Sequence, residues 1–68
     1  MTINEAIAKT IKKNGGTCYF HWNGKNKSWC LSGETSDHLV WETDDIEAKT
    51  RKEAEGDAVD YLIENNSL

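Results

Sequence analysis

The chain contains no proline, so no position is forced to break a helix or to stiffen a linker. It does not open with a basic stretch followed by an apolar core, which argues against a secretory signal. No apolar run approaches the ~18 residues that a membrane span requires. The expected location is therefore the cytoplasm, where the two cysteines, Cys18 and Cys30, are expected as free thiols. Also absent are the P-loop, the dinucleotide-binding glycine pattern, the calcium loop and the close Cys/His spacings of zinc sites. No cofactor is expected. Sixty-eight residues leave room for one domain, 1–68, and a chain this short buries only about 60% of the surface its unfolded form exposes.

What is present in compensation is aromatic. Trp22, Trp29, Trp41, Phe20, Tyr19 and Tyr61 are spread over the chain, and each large ring can remove roughly 150–250 Å² from water. The net charge of −4 hides an asymmetry. Residues 1–33 carry five lysines against the single acid Glu5, whereas residues 34–68 carry eleven acids against Lys49, Arg51 and Lys52. A basic half followed by an acidic half bears on partners, or on solubility, and not on fold.

Thr2-Ile3-Asn4-Glu5 is a capping box before an apolar-periodic run. Ile3, Ile7 and Ile11, with Ala6 and Ala8, predict an amphipathic helix that ends at Asn14-Gly15-Gly16. Thr17 to Trp22 reads as a strand, Asn23 to Lys27 as a turn, and Ser28 to Ser32 as a second strand. Gly33 to Asp37 reads as a polar loop and His38 to Glu42 as a third strand. Pairing Trp22 with Trp29 sets Phe20 opposite Leu31; pairing Trp29 with Trp41 sets Leu31 opposite Leu39. One face then gathers Cys18, Phe20, Trp22, Trp29, Leu31, Leu39 and Trp41. A second helix starts either near Asp44-Asp45 or at the competing capping box Thr50 to Glu53. Its stripe is Ala54, Ala58 and Leu62 with Val59 and Ile63, Gly56 marks a kink or a close approach to the sheet, and Asn65-Asn66 ends it.

The predicted class is α+β: a two-layer sandwich in the order helix, three antiparallel strands as a meander, helix. Its open sheet face would carry Tyr19, His21, Ser28, Cys30, Ser32, His38, Val40 and Glu42. The alternative places one helix on each face and buries Tyr19 and Val40.

Three chemistries compete on these residues. His21, Cys30 and His38 share the open face, but zinc needs about four ligands and Cys18 points the other way, so no metal is expected. Cys30 beside His21 resembles a thiolate pair without an orienting third group or a concave pocket, so no catalytic residue is expected. Nucleic-acid binding would use Lys12, Lys13, Lys25, Lys27, Arg51 and Lys52. The element order, with Thr50-Arg51-Lys52-Glu53-Ala54 opening the second helix, resembles double-stranded RNA-binding domains, which implies phosphate contacts from that helix start. Glu55 stands where that family's third lysine would be, and Glu53, Asp57 and Asp60 surround the stretch.

Protein binding is the leading expectation. Asp44, Asp45, Glu47, Glu53, Asp57 and Asp60 would present carboxylates to a basic partner surface. Met1 to Glu5, with Ile7, Ile11, Lys12 and Asn14, resembles the start of small acidic phage-encoded anti-CRISPR proteins. That resemblance implies a non-enzymatic inhibitor or adaptor that imitates DNA and occupies a nucleic-acid-handling protein in the host cytoplasm. The chain is shorter than that family, lacks its third helix and carries three tryptophans. A third reading is a homodimer formed through the open face or a strand edge.

Overall fold

Local sequence signals set the first helix and the first hairpin. The structure is a computed structural model that describes residues 1–43 and 45–65. Helix α1 (Ile3–Asn14) is closed at its start by the reciprocal capping box of Thr2 and Glu5. Its buried positions are Ala6 and Thr10, flanked by half-buried Ile3 and Ile7. The stripe is thus rotated from the expected Ile3–Ile7–Ile11 row, and Ile11 is left exposed. Thr10 is tolerated inside because its hydroxyl donates to the Ala6 carbonyl at 2.8 Å.

Strands β1 (Thr17–Asn23) and β2 (Ser28–Glu34) form an antiparallel hairpin with Trp22 opposite Trp29 and Phe20 opposite Leu31, as the pattern predicts. The Asn23 side-chain oxygen accepts from the amides of Lys25 and Asn26, which shapes the connecting turn. On the third strand the structure corrects the expectation. Strand β3 is only Val40–Glu42, and it pairs with Ser32 to Glu34, so Trp41 lies opposite Gly33 and not Trp29. The cause is a tight turn at Thr35–His38: the His38 amide donates to the Thr35 carbonyl and the Leu39 amide to the Thr35 hydroxyl. His38, at φ +68°, is in that turn and not in a strand.

This turn leaves Gly33 and Glu34 in β2. It also removes Leu39 from the core, where it is 66% exposed. The slip is four residues, an even number, so Trp41 stays on the expected face. Ile46 takes the place opposite Trp29, its amide donating to the Trp29 carbonyl.

Helix α2 (Arg51–Glu64) begins at the later of the two candidate caps, with the Thr50 hydroxyl accepting from the Glu53 amide. It buries Ala54, Ala58, Val59 and Leu62 and leaves Ile63 exposed. Asn65 closes it; Asn66 lies outside the described residues, as does Asp44. Both helices cover the same face of the three-stranded sheet, where Ala6, Cys18, Leu31, Ala58, Val59 and Leu62 form the core. The result is the two-layer α+β arrangement, and Tyr19 and Val40 on the other face are exposed.

Phe20 stacks on Trp29 at 4.8 Å, and Trp22 meets Trp29 edge-on, so the aromatic cluster extends the core toward the hairpin. Trp22, at its outer end, is 51% exposed. The helices run in the same sense. Ile3 and Asn4 share a surface depression with Lys52 and Val59, whereas Thr10 and Asn14 share one with Tyr61 and Asn65.

Two glycines behave oppositely. A Cβ on Gly33 would meet the Thr17 carbonyl oxygen and stand 2.7 Å from Trp41 Cζ2, whereas a Cβ on Gly56 meets nothing within 4 Å. Gly56 therefore makes no close approach to the sheet. Gly33→Ala is expected to lower stability by roughly 1–3 kcal/mol through overpacking. Gly56→Ala is expected to raise it by about 0.5–1 kcal/mol through helix propensity. Urea unfolding of the two variants beside the parent checks both signs.

Candidate functional site

Among the described residues the segment after β3 is tied to the central strand by four bonds. Thr43 engages Leu31 twice, its amide donating to the Leu31 carbonyl at 2.9 Å and its hydroxyl accepting from the Leu31 amide at 3.0 Å. The Ile46 amide then donates to Trp29, and the Asp45 carboxylate accepts from the Ser28 hydroxyl at 2.6 Å. These bonds hold Asp45 and Glu47 beside the flank of α2. Asp57, Asp60 and Glu64 recur along that helix at spacings of three and four, which places them on one side of it.

Together with Glu42 these groups line a groove of about 620 Å³, with Thr43, half-buried Ile46 and Tyr61 between them. Among the described residues six acidic residues and no lysine or arginine line it. Neither the His38–Glu34 nor the Arg51–Glu55 ion pair draws on a groove carboxylate.

Four of the six acids singled out in the sequence, Asp45, Glu47, Asp57 and Asp60, are brought together here. Glu53 is not: its carboxylate accepts from the Lys49 amide at the start of α2. Asp44 lies outside the described residues. Asp45 and Glu47 also precede α2 instead of riding on it, so the surface is a two-walled groove and not a helix face. Glu42, Thr43, Ile46, Tyr61 and Glu64 also line it and were not among those six. Strand alternation places Glu42 on the open face, where its carboxylate accepts from Ser32, and nothing local to Tyr61 marks it.

The basic set is divided. Lys25 and Lys27 occupy the hairpin turn, and Arg51 and Lys52 open α2 near it, whereas Lys12 and Lys13 sit in the last turn of α1. Arg51 is held at 5.2 Å over the Trp29 ring and at 3.1 Å from Glu55.

On the open face His21 lies opposite Cys30, with Nε2 3.6 Å from the thiol and 2.7 Å from the Ser32 hydroxyl. Ser32 in turn donates to Glu42 Oε2 at 3.3 Å, so the cluster ties the three strands together. His38 takes no part, being bonded to Glu34 at 2.8 Å in the turn. Burial pushes the Cys30 thiol up, and Glu42 and Asp45 add to the effect; burial alone raises Cys18. Cys30 is wholly inaccessible and is held as a neutral thiol, the opposite of an activated nucleophile. Among the described residues no group of three His, Cys, Asp or Glu side chains is placed to hold a metal ion. Nor, among them, is any helix long and apolar enough to cross a membrane.

Comparison with protein families, curated proteins and solved structures finds no match to this chain.

The raised thiols have a measurable consequence. A folded value above the unfolded one leaves the stabilisation complete below the ordinary thiol range, about 8.5, and removes it as pH rises through the folded values. Stability is therefore expected to fall above about pH 8.5, and to fall less in Cys30→Ala, measured by urea midpoints from pH 7.5 to 10. At pH 7.5 neither thiol of the folded chain is expected to react with an aromatic disulfide reagent until denaturant is added.

Proposed function

We propose that this chain is a non-enzymatic protein-binding domain that captures a basic segment of a partner in the groove between α2 and the residues that follow β3. The observation that carries this reading is the composition of the groove: acidic residues on both walls and no cation among the described lining residues. Such a surface raises the encounter rate with a basic partner and disfavours acidic ones. Ile46 and Tyr61 between the walls suit the aliphatic stems of lysine and arginine, whose charged ends would reach the carboxylates. The bonds from Leu31, Trp29 and Ser28 fix one wall in advance, so little ordering cost accompanies binding.

A partner surface that ordinarily holds nucleic acid is the chemistry this groove fits. In that role the domain acts as an inhibitor or adaptor of a nucleic-acid-handling protein, with the anti-CRISPR type as its most specific form. Direct nucleic-acid binding has one feature in its favour, the placement of Lys25, Lys27, Arg51 and Lys52 toward one end. Against it stand the occupied guanidinium of Arg51 and the net charge of −4.

A fluorescently labelled octalysine peptide is expected to bind the chain with an affinity that drops as salt rises from 50 to 300 mM. The triple variant Glu47→Lys/Asp57→Lys/Asp60→Lys is expected to weaken it by about tenfold or more while retaining the parent's circular dichroism. Equal binding by parent and variant rejects the groove. A salt-sensitive gel shift of duplex RNA or DNA by the parent chain, without peptide binding, favours the nucleic-acid alternative.

A further inference from the structure

Next to the groove lies a second depression of about 340 Å³, between the carboxyl ends of α1 and α2, with Trp41 and Tyr61 among its walls. Tyr61 lines both, so a chain lying in the groove reaches this pocket without leaving the surface. We infer that the pocket takes one arginine side chain of the basic segment, stacked against Trp41 and Tyr61. This rests on the groove reading and adds to it the residue type that the partner must supply.

Three features argue for a cation, and for a planar one. First, both helices end here: Asn14 and Gly15 at the end of α1, and Asn65 at the end of α2, line the pocket. Helix carboxyl ends carry partial negative charge, and the last turn of α2 holds no basic residue. Lys12 and Lys13 stand in the last turn of α1 but do not line the pocket. Second, among the described residues no lysine or arginine lines the pocket. Third, the walls are an indole and a phenol, whose faces attract cations and favour the flat guanidinium over the compact ammonium.

The same chain already makes such a contact elsewhere. Arg51 lies over the Trp29 ring, and its Nε is 3.1 Å from the Glu55 carboxylate. The indole of Trp41 is held in place by its close fit over Gly33, so the wall exists before a ligand arrives.

The test compares octaarginine with octalysine on the full chain by fluorescence anisotropy. The parent is expected to prefer octaarginine by about five- to tenfold. In Trp41→Leu and in Tyr61→Leu that ratio is expected to fall to within about twofold. In Asp57→Lys/Asp60→Lys both affinities are expected to fall while the ratio persists. Because Trp41 packs on Gly33, its variant can lose the fold; Tyr61, 38% exposed, supplies the variant that does not depend on that packing. A parent with no arginine preference, or a preference that survives Tyr61→Leu, overturns the pocket while leaving the groove standing. Failure of both peptides to bind overturns the groove and the pocket together.

Discussion

The contact of Trp41 with Gly33 governs this structure. The indole lies so close over the central strand that a single methyl group on Gly33 would collide with it. That fit, together with the Thr35–His38 turn, holds the register between β2 and β3, and the register places everything that follows. With Trp41 opposite Gly33, the chain leaves β3 alongside Leu31 and Trp29, where Thr43 and Ile46 find backbone partners. The acidic wall of the groove is therefore a consequence of a packing contact between a large residue and the smallest one. Side-chain pairs across strands are the unit by which sheets choose their pairing, and an aromatic ring over a glycine is a strong such pair.

The same contact explains which parts of the fold could be read from the residues. α1 and the β1–β2 hairpin were legible because their signals are local: a capping box, a polar turn, and an alternation that only one pairing satisfies. The class and the shared face of the three indoles followed from the same alternation. The partner of Trp41 did not follow, because Trp29 and Gly33 lie on the same side of β2 and differ by an even number of residues. Either choice keeps the apolar face intact. A glycine within a strand-like run is a signal of close approach, and read that way Gly33 points to a ring across from it. The later start of α2 was one of two legible caps; the Thr50 hydroxyl accepts from the Glu53 amide, while the Glu53 carboxylate turns to the Lys49 amide instead of closing the box on Thr50. Of the groove, the helical spacing of Asp57 and Asp60 was legible, but its second wall depended on the register and its Tyr61 on the path of α2.

The two sheet faces divide the polar chemistry of the molecule. On the open face, His21, Ser32 and Glu42 are bonded to one another around the buried Cys30, so their hydrogen-bonding capacity is largely spent within the sheet. In the groove the situation is reversed. Only Asp45 has a described side-chain partner besides Glu42, which bonds Ser32, and the remaining carboxylates have no described bond to the protein. A histidine and a cysteine side by side suggest chemistry in a sequence, yet here they serve cohesion. The groups that face outward are the plain carboxylates.

Electrostatics along α2 sharpens that contrast. Acids near a helix start are favourable, and Glu53 stands in the first turn, where its carboxylate accepts from the Lys49 amide. Asp60 and Glu64 stand toward the opposite end, where the dipole disfavours negative charge, and the last turn has no basic residue to offset them. Asp57 lies one turn from Asp60 on the same side, a like-charge spacing that also disfavours the helix. In a chain of 68 residues the margin of stability is thin, so uncompensated repulsion of this kind is a real cost to the fold. None of these carboxylates packs, caps or pairs within the described residues in a way that offsets it. A cation placed beside these carboxylates would relieve both the dipole and the mutual repulsion at once.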